Sequence, residues 1–278
     1  MDNFGTVLLE GKTITLNLNR SPGYDPKCLN LVGKVITDKE IKFKVCKNTL
    51  LALWGNPTGV GRNKILISFK DRSKGKEILD NGPWNIRGNL LNLQHWSQRE
   101  SIFEVRHDVM EFWIQLHGFP EDHMRDETTM VVGNMVGLVS EVEDPLVDGV
   151  LMRNYLRFIA AINITKPLQT GFWLARDNLP ETWISFKYER LQDAYCLNYG
   201  IIGHDKRSCI NPTAMASWDP SKPRYSKGMG VRHVRALSSK NSGKREEFAE
   251  HAYEEEDIPA HGVQTQPTED RETQEKED

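Results

Sequence analysis

The apolar positions of the chain fall into short runs before they fall into long ones. Leu31–Ile36 (LVGKVI) and Lys64–Phe69 (KILISF) are brief, apolar and β-branched, the mark of buried strands. Between them, Ile41, Val45, Leu50, Leu53 and Trp54 recur near helical spacing, and Thr37 stands where a helix cap would. Asp71 is the expected cap of a second helix over Asp71–Leu79, NGPWNIRG holds turn residues, and Asn89–Trp96 reads as a closing strand. Strands separated by two helices predict an antiparallel sheet with helices on one face, an α+β arrangement.

The order from Ile65 through helix, turn and strand resembles the second half of an RNA-recognition motif (ferredoxin-like), whose open sheet face stacks bases on aromatic residues. Aligning Phe69 with the last aromatic of that motif puts Lys64 and Leu66 at the stacking positions, which counts against stacking there. A second α+β unit follows. In Val109–Pro120, Phe112, Ile114 and Leu116 alternate with Trp113, Gln115 and His117. A helix ending at a glycine is expected next, with Met124, Met130 and Val131 facing inward, and then strands over Leu156–Ile164 and Thr182–Leu191. Alternation puts Trp113, His117, Arg157 and Lys187 on one sheet face. Aromatic and basic groups side by side suit single-stranded nucleic acid, through stacking and phosphate neutralisation; the alternative is that Trp113 lies under a helix or loop as ordinary core.

Composition adds an asymmetry that the net charge of −3 hides. Ser238–Asp278 carries a net −8 and the preceding 237 residues a net +5. Pro220–Arg245 holds eight basic residues and no acid, among them Lys222, Arg224, Lys227, Arg232 and Arg235. Acidic tails are usually solvated, and this one could also shield the basic stretch from polyanions. Four scattered cysteines do not make a disulfide scaffold in a chain of 278 residues. No run approaches a membrane span and no secretory signal opens the chain, so an intracellular, reduced protein is expected, nucleus or cytoplasm unresolved.

YCLNYGIIGHDKRSC (Tyr195–Cys209) differs from a C-x2-C-x4-H-x4-C zinc knuckle at one ligand, Tyr199 standing in place of cysteine. Cys196, His204 and Cys209 keep the ligand spacing, and Gly200 and Gly203 keep the turns. A phenol is bulkier than a thiolate and ordinarily stays protonated to a pH of about 10. Two outcomes follow: a lost or weak site, or zinc on three ligands with water, Asp193 or Asp205 as the fourth.

Through GPWNIRGNLLNLQHW, FWIQLHGFP, ITKPL, FKYERL and the knuckle, the chain resembles a plant family that joins a domain of unknown function to a C-x2-C-x4-H-x4-C knuckle. That family is related to the first open-reading-frame product of LINE-type retrotransposons. The resemblance spans roughly Leu31 to Ala236, and KGMGVRHVRA looks like a degraded form of a stretch that often follows the knuckle. It implies nucleic-acid binding, RNA before single-stranded DNA, in a packaging or chaperone-like role, with zinc ligands carried over to Cys196, His204 and Cys209 only.

The expected organisation is therefore an RNA-recognition-motif-like unit over residues 1–98 and a second α+β unit over 105–191. A degenerate knuckle over 192–212, a basic linker over 213–245 and an acidic disordered tail over 246–278 complete it. In the binding reading, Tyr195, Ile201 and Ile202 of the knuckle meet bases and the basic stretch meets phosphates. The competing reading is a protein–protein or self-association module, or a decayed copy binding neither metal nor nucleic acid. An enzyme is not expected: His107, Asp108, His117, Asp122 and His123 are close in sequence but lack the helical spacing of a zinc hydrolase, and no nucleotide or nucleophile motif is present. Neither a membrane nor a small-molecule substrate is an expected partner.

Overall fold

The first strand, β1 (Leu29–Ile36), alternates two apolar faces, and both are used. In the computed structural model, which describes residues 28–54, 57–97, 99–204, 207 and 209–237, it is followed by α1 (Phe43–Leu53), β2 (Thr58–Gly61), β3 (Lys64–Phe69), α2 (Arg72–Asp80), β4 (Trp84–Ile86) and β5 (Asn89–His95). These form an antiparallel sheet in the order β2-β3-β1-β5-β4. Asp71 caps α2 as expected, accepting from Lys74 N at 3.2 Å. Thr37 caps nothing. Residues 37–42 are instead clipped to the β2–β3 turn by Asn63, which accepts from Ile41 N and donates to Lys39 O, each at 2.8 Å, so α1 begins only at Phe43.

One face of this sheet (Leu31, Val35, Ile65, Ile67, Leu91) packs on Cys46 and Leu50 of α1 and Ile78 of α2. The other face is also closed. Val32 and Leu66 are buried with Trp96 and Val105 of the segment after β5, and Lys64 Nζ donates to the carbonyls of Ile102 and Val105, both at 3.1 Å. Both residues at the aligned stacking positions are thus committed inside the fold.

A second antiparallel sheet is built from β6 (Val109–His117), β7 (Leu138–Glu143), β10 (Tyr155–Asn163), β11 (Gly171–Arg176) and β12 (Leu179–Glu189), in the order β11-β12-β6-β10-β7. A small hairpin of β8 (Leu146–Val147) and β9 (Val150–Leu151) lies between β7 and β10. The inner face of this second sheet (Phe112, Ile114, Leu116, Phe158, Ile184, Phe186) is buried in one core, and α3 (Asp126–Val136) packs over its β7 and β10 side. Met124 is buried as expected, but Met130 and Val131 point outward. The helix touches the sheet through Thr129, Val132 and Gly133, where a side chain at Gly133 would collide with Val139 and Phe158.

Leu90 of β5 lies in the second core, Ile36 of β1 packs against it, and Asn92 Nδ2 donates to Val109 O at 2.7 Å, so the two sheets share a boundary. The expected basic linker is not a linker over its described part. Tyr225 and Met229 are buried in the second core, and β13 (Gly230–Val231) pairs in parallel with the end of β12. The apolar residues spaced among the cations hold this stretch to the sheet. The remainder of the stretch and the acidic tail lie outside the described residues. Among the described residues, no helix is long and apolar enough to cross a membrane.

Candidate metal centre and nucleic-acid interface

After β12 the chain folds back on itself in a tight loop. Tyr195 and Ile202 form an isolated antiparallel bridge, Cys196 N donates to Ile201 O at 2.8 Å, and Gly200 N donates to Cys196 O at 2.7 Å. Gly200 and Gly203 adopt φ of 81° and 76°, open to glycine at no steric cost. Each is also wedged against the body: a side chain at Gly200 would run into the Tyr225 ring, and one at Gly203 would meet the Ile36 carbonyl at 2.7 Å. Leu168 N donates to Gly200 O and Asp38 N to Gly203 O, both at 3.0 Å.

The loop brings Cys196, His204 and Cys209 together, with one ligand atom from each inside 4.8 Å of the others. Cys196 is fully buried, and burial pushes its thiol pKa up; its sulfur accepts from Asn198 N at 3.4 Å. His204 Nδ1 lies 3.2 Å from Asp38 Oδ2, a carboxylate contributed by the loop after β1. His204 Nε2 is buried without a hydrogen-bond partner. With the proton on Nδ1, facing the carboxylate, Nε2 keeps a bare lone pair for a metal. Two thiolates and an imidazole are the donor set that zinc prefers, so the residues fit the metal. Held there, zinc would close the loop by fixing three of its residues to one centre. Tyr199 does not complete the set with a thiolate; its ring packs edge-on against the His204 imidazole, centroids 5.6 Å apart. Asp193 is not part of the cluster, and Asp205 lies outside the described residues.

Trp113, His117, Arg157 and Lys187 do share the outer face of the second sheet, with Arg157 and Lys187 each paired across from Gln115. The roles expected of them divide. Arg157 is only 1% exposed and cannot serve a phosphate. Its Nε donates to Glu189 Oε1 at 2.7 Å and its guanidinium also reaches Glu143, while its carbon stacks 3.5 Å from the Trp113 ring centre. Burial alone would raise the Glu189 carboxyl, but hydrogen bonds from Arg157 and Gln115 hold it below its ordinary range. The segment beyond β13 lies over this end of the face: His233 Nδ1 and Val234 N donate to Glu189, Leu237 N donates to Glu143, and Arg157 and Arg153 donate to the carbonyls of Val234 and Arg235. His117 stacks on Tyr155 at 4.8 Å, and burial with the nearby Lys187 charge lowers its pKa to about 4.

Of the knuckle residues expected at bases, Tyr195 and Ile202 are turned into the core, each 4% exposed, with the Tyr195 hydroxyl donating to Ser226 O at 2.6 Å. Tethering the knuckle to the sheet consumes its apolar side chains; Ile201 stays half-buried. Lys222, Arg224, Lys227, Arg232 and Arg235 are all exposed, Lys222 paired with Asp219 at 3.0 Å. His107 and the residues near it do not gather into a metal cluster among the described residues. Asp38 was not legible as a site residue, because no spacing in the sequence links a loop after β1 to a histidine 166 positions later.

This geometry agrees with two family matches. Residues 29–104 match a family described as a domain of unknown function, DUF4283, and residues 162–211 match one described as a zinc knuckle. The first covers the first sheet with its closing segment; the second begins within β10 and takes in β11 and β12 before the knuckle itself. No curated protein matches the chain.

Proposed function

We propose that the protein binds single-stranded nucleic acid, RNA by preference, through a zinc knuckle that works on three ligands and is anchored to a folded body. The observation that carries this reading is the grouping of the His204 imidazole with the sulfurs of Cys196 and Cys209, its Nε2 buried and without a hydrogen-bond partner. Exposed cations at Lys222, Arg224, Lys227, Arg232 and Arg235 would supply phosphate contacts. The strand order β2-β3-β1-β5 with two crossover helices supports taking the first unit as an RNA-recognition-motif-like scaffold, one whose usual platform face is closed by Trp96 and Val105. The pairing of a DUF4283 match with a knuckle match supports descent from the plant, LINE-related family that the sequence resembles. Zinc is held more weakly than by four ligands, the protein acts inside the cell, and it binds rather than catalyses.

The test is a salt titration of the full chain on a single-stranded RNA. About six engaged phosphates give a log–log slope near −4, and removal of zinc weakens binding. Absence of salt-sensitive binding would leave the second reading, self-association. That reading is favoured by one feature, the exposed apolar stripe of Val131, Met135 and Leu138 at 58, 76 and 64% exposure.

A further inference from the structure

Three tryptophans meet at the open end of the second sheet. Trp173 of β11 and Trp183 of β12 are directly paired across strands, rings edge to face at 5.5 Å. Trp218, from the segment after the knuckle, lies against Trp183 with centroids 4.6 Å apart and planes 37° apart. None of the three belongs to a hydrophobic core. Ile184 and Phe186 point inward from β12, so Trp183 stands on the outer face with Ser185 and Lys187. Trp173 is 45% exposed, and its two partners are half-buried. Leaving so much indole in water is unfavourable unless something covers it.

The chemistry around the cluster selects the occupant. Arg224, exposed, lines the same cleft as Trp183, Gly171 and Ser217, with a volume of about 160 Å³. Lys187 lies further along the same face, and His117 and Tyr155 form a stacked ring pair in the row beside Ser185. Asp219, next to Trp218 in the chain, is already matched by Lys222, while Glu181, two positions before Trp183, is exposed at the hairpin end of β12. The cleft also backs onto the knuckle: Tyr225 lines it, donates to Leu168 O at 3.1 Å and packs on Gly200. Flat aromatic faces beside the Arg224 and Lys187 charges fit a base with its phosphate better than an apolar protein anchor, with Arg224 positioned by its Nε donating to Met215 O at 3.2 Å.

We propose that Trp173, Trp183 and Trp218 form a stacking platform for unpaired bases of a single-stranded nucleic acid, with Arg224 neutralising an adjoining phosphate. The platform rests on the nucleic-acid reading above and gives it a place on the sheet that the strap beyond β13 does not occupy. Sugar type matters little to stacking, so RNA and DNA strands are both accepted here, and any preference for RNA arises elsewhere.

The test measures quenching of tryptophan fluorescence in the full chain by oligouridylate, by oligothymidylate and by an abasic oligonucleotide of equal length. Both base-bearing strands quench, and the abasic strand binds more weakly. Trp173→Ala and Trp218→Ala each weaken binding of the base-bearing strands by about 5- to 100-fold, with the abasic strand unaffected. Trp173→Phe, which keeps a flat ring at an exposed edge position, retains most of the affinity, and the thermal melting of each variant is compared with wild type to keep folding separate. If all three variants bind oligouridylate as wild type does, the platform is wrong while nucleic-acid binding stands. If wild type binds no oligonucleotide even at low salt, both fall. If the indole signal instead follows protein concentration, the platform is a self-association surface and the proposal is overturned.

Discussion

Asp38 and His204 meet at 3.2 Å, carboxylate to Nδ1, although they belong to different regions of the chain: one follows the first strand, the other lies within the knuckle. A free zinc knuckle depends on its metal for its structure. Here the loop is held by Asp38, by the Gly203 contact with Ile36, and by Tyr225 over Gly200, so the donors are gathered by packing as well as by metal. That placement bears directly on how three ligands could suffice where a free peptide needs four.

The Asp38→Ala variant therefore loses zinc affinity while keeping its fold. Partners that orient a metal-bound histidine are typically worth about 10- to 100-fold in affinity. Competition with a chromogenic chelator reads the change. An unchanged affinity would mean that the imidazole is oriented without the carboxylate.

Gly200→Ala is expected to damage the knuckle more than any surface change near it. The residue has φ of 81° and faces the Tyr225 ring, so an added methyl meets both backbone strain and a clash. Together these cost on the order of 1–3 kcal/mol. Urea unfolding measures it, with zinc uptake falling in parallel.

Glu189, buried with Gln115 and Arg157, also gathers His233 and Val234 of the segment beyond β13. Replacing it with Gln leaves the Arg157 charge without its main partner, and breaking a buried pair in this way costs about 3–5 kcal/mol. The segment beyond β13 is released with it, so limited proteolysis near residues 232–237 quickens in Glu189→Gln. If the protease pattern is unaltered, the cluster does not hold that segment.

Acid weakens the fold through two histidines. Burial lowers His107 and His117 to about 4, against an unfolded value near 6.5. The unfolded chain then binds more protons between those values, so stability falls as pH drops from about 6.5 to 4 and is level above that range. His107, 4% exposed with neither ring nitrogen bonded, is the cleaner case. His107→Phe flattens the slope of stability against pH by up to about 1.4 kcal/mol per unit. A slope equal to that of wild type would contradict the assignment.

Local rules carried part of this architecture. Alternation in Val109–His117 correctly put Trp113, Gln115 and His117 on one face, because a strand's side chains obey a period of two whatever packs on them. The Asp71 cap and the knuckle spacing were equally local. What escaped were pairings between distant segments: Asn63 pulling residues 39–41 away from a helix, Glu189 claiming Arg157, and Tyr225 drawing a basic stretch onto the core. The short strands β2 and β4 have no apolar period of their own and exist because β3 and β5 offer them an edge. Trp183 stood in plain view on an outward position, yet only its contact with Trp218 marks it as part of a surface.

On the proposed reading, Cys196, His204 and Cys209 hold zinc without the third cysteine of a complete knuckle. The most direct measurement is the zinc content and chelator-competition affinity of the purified full chain, beside Tyr199→Cys and Cys196→Ser. Near-stoichiometric zinc is expected in wild type, tighter binding in Tyr199→Cys and none in Cys196→Ser. Zinc found only in Tyr199→Cys would contradict that reading, and would mean that Tyr199 had ended metal binding in a loop that the body still holds in shape.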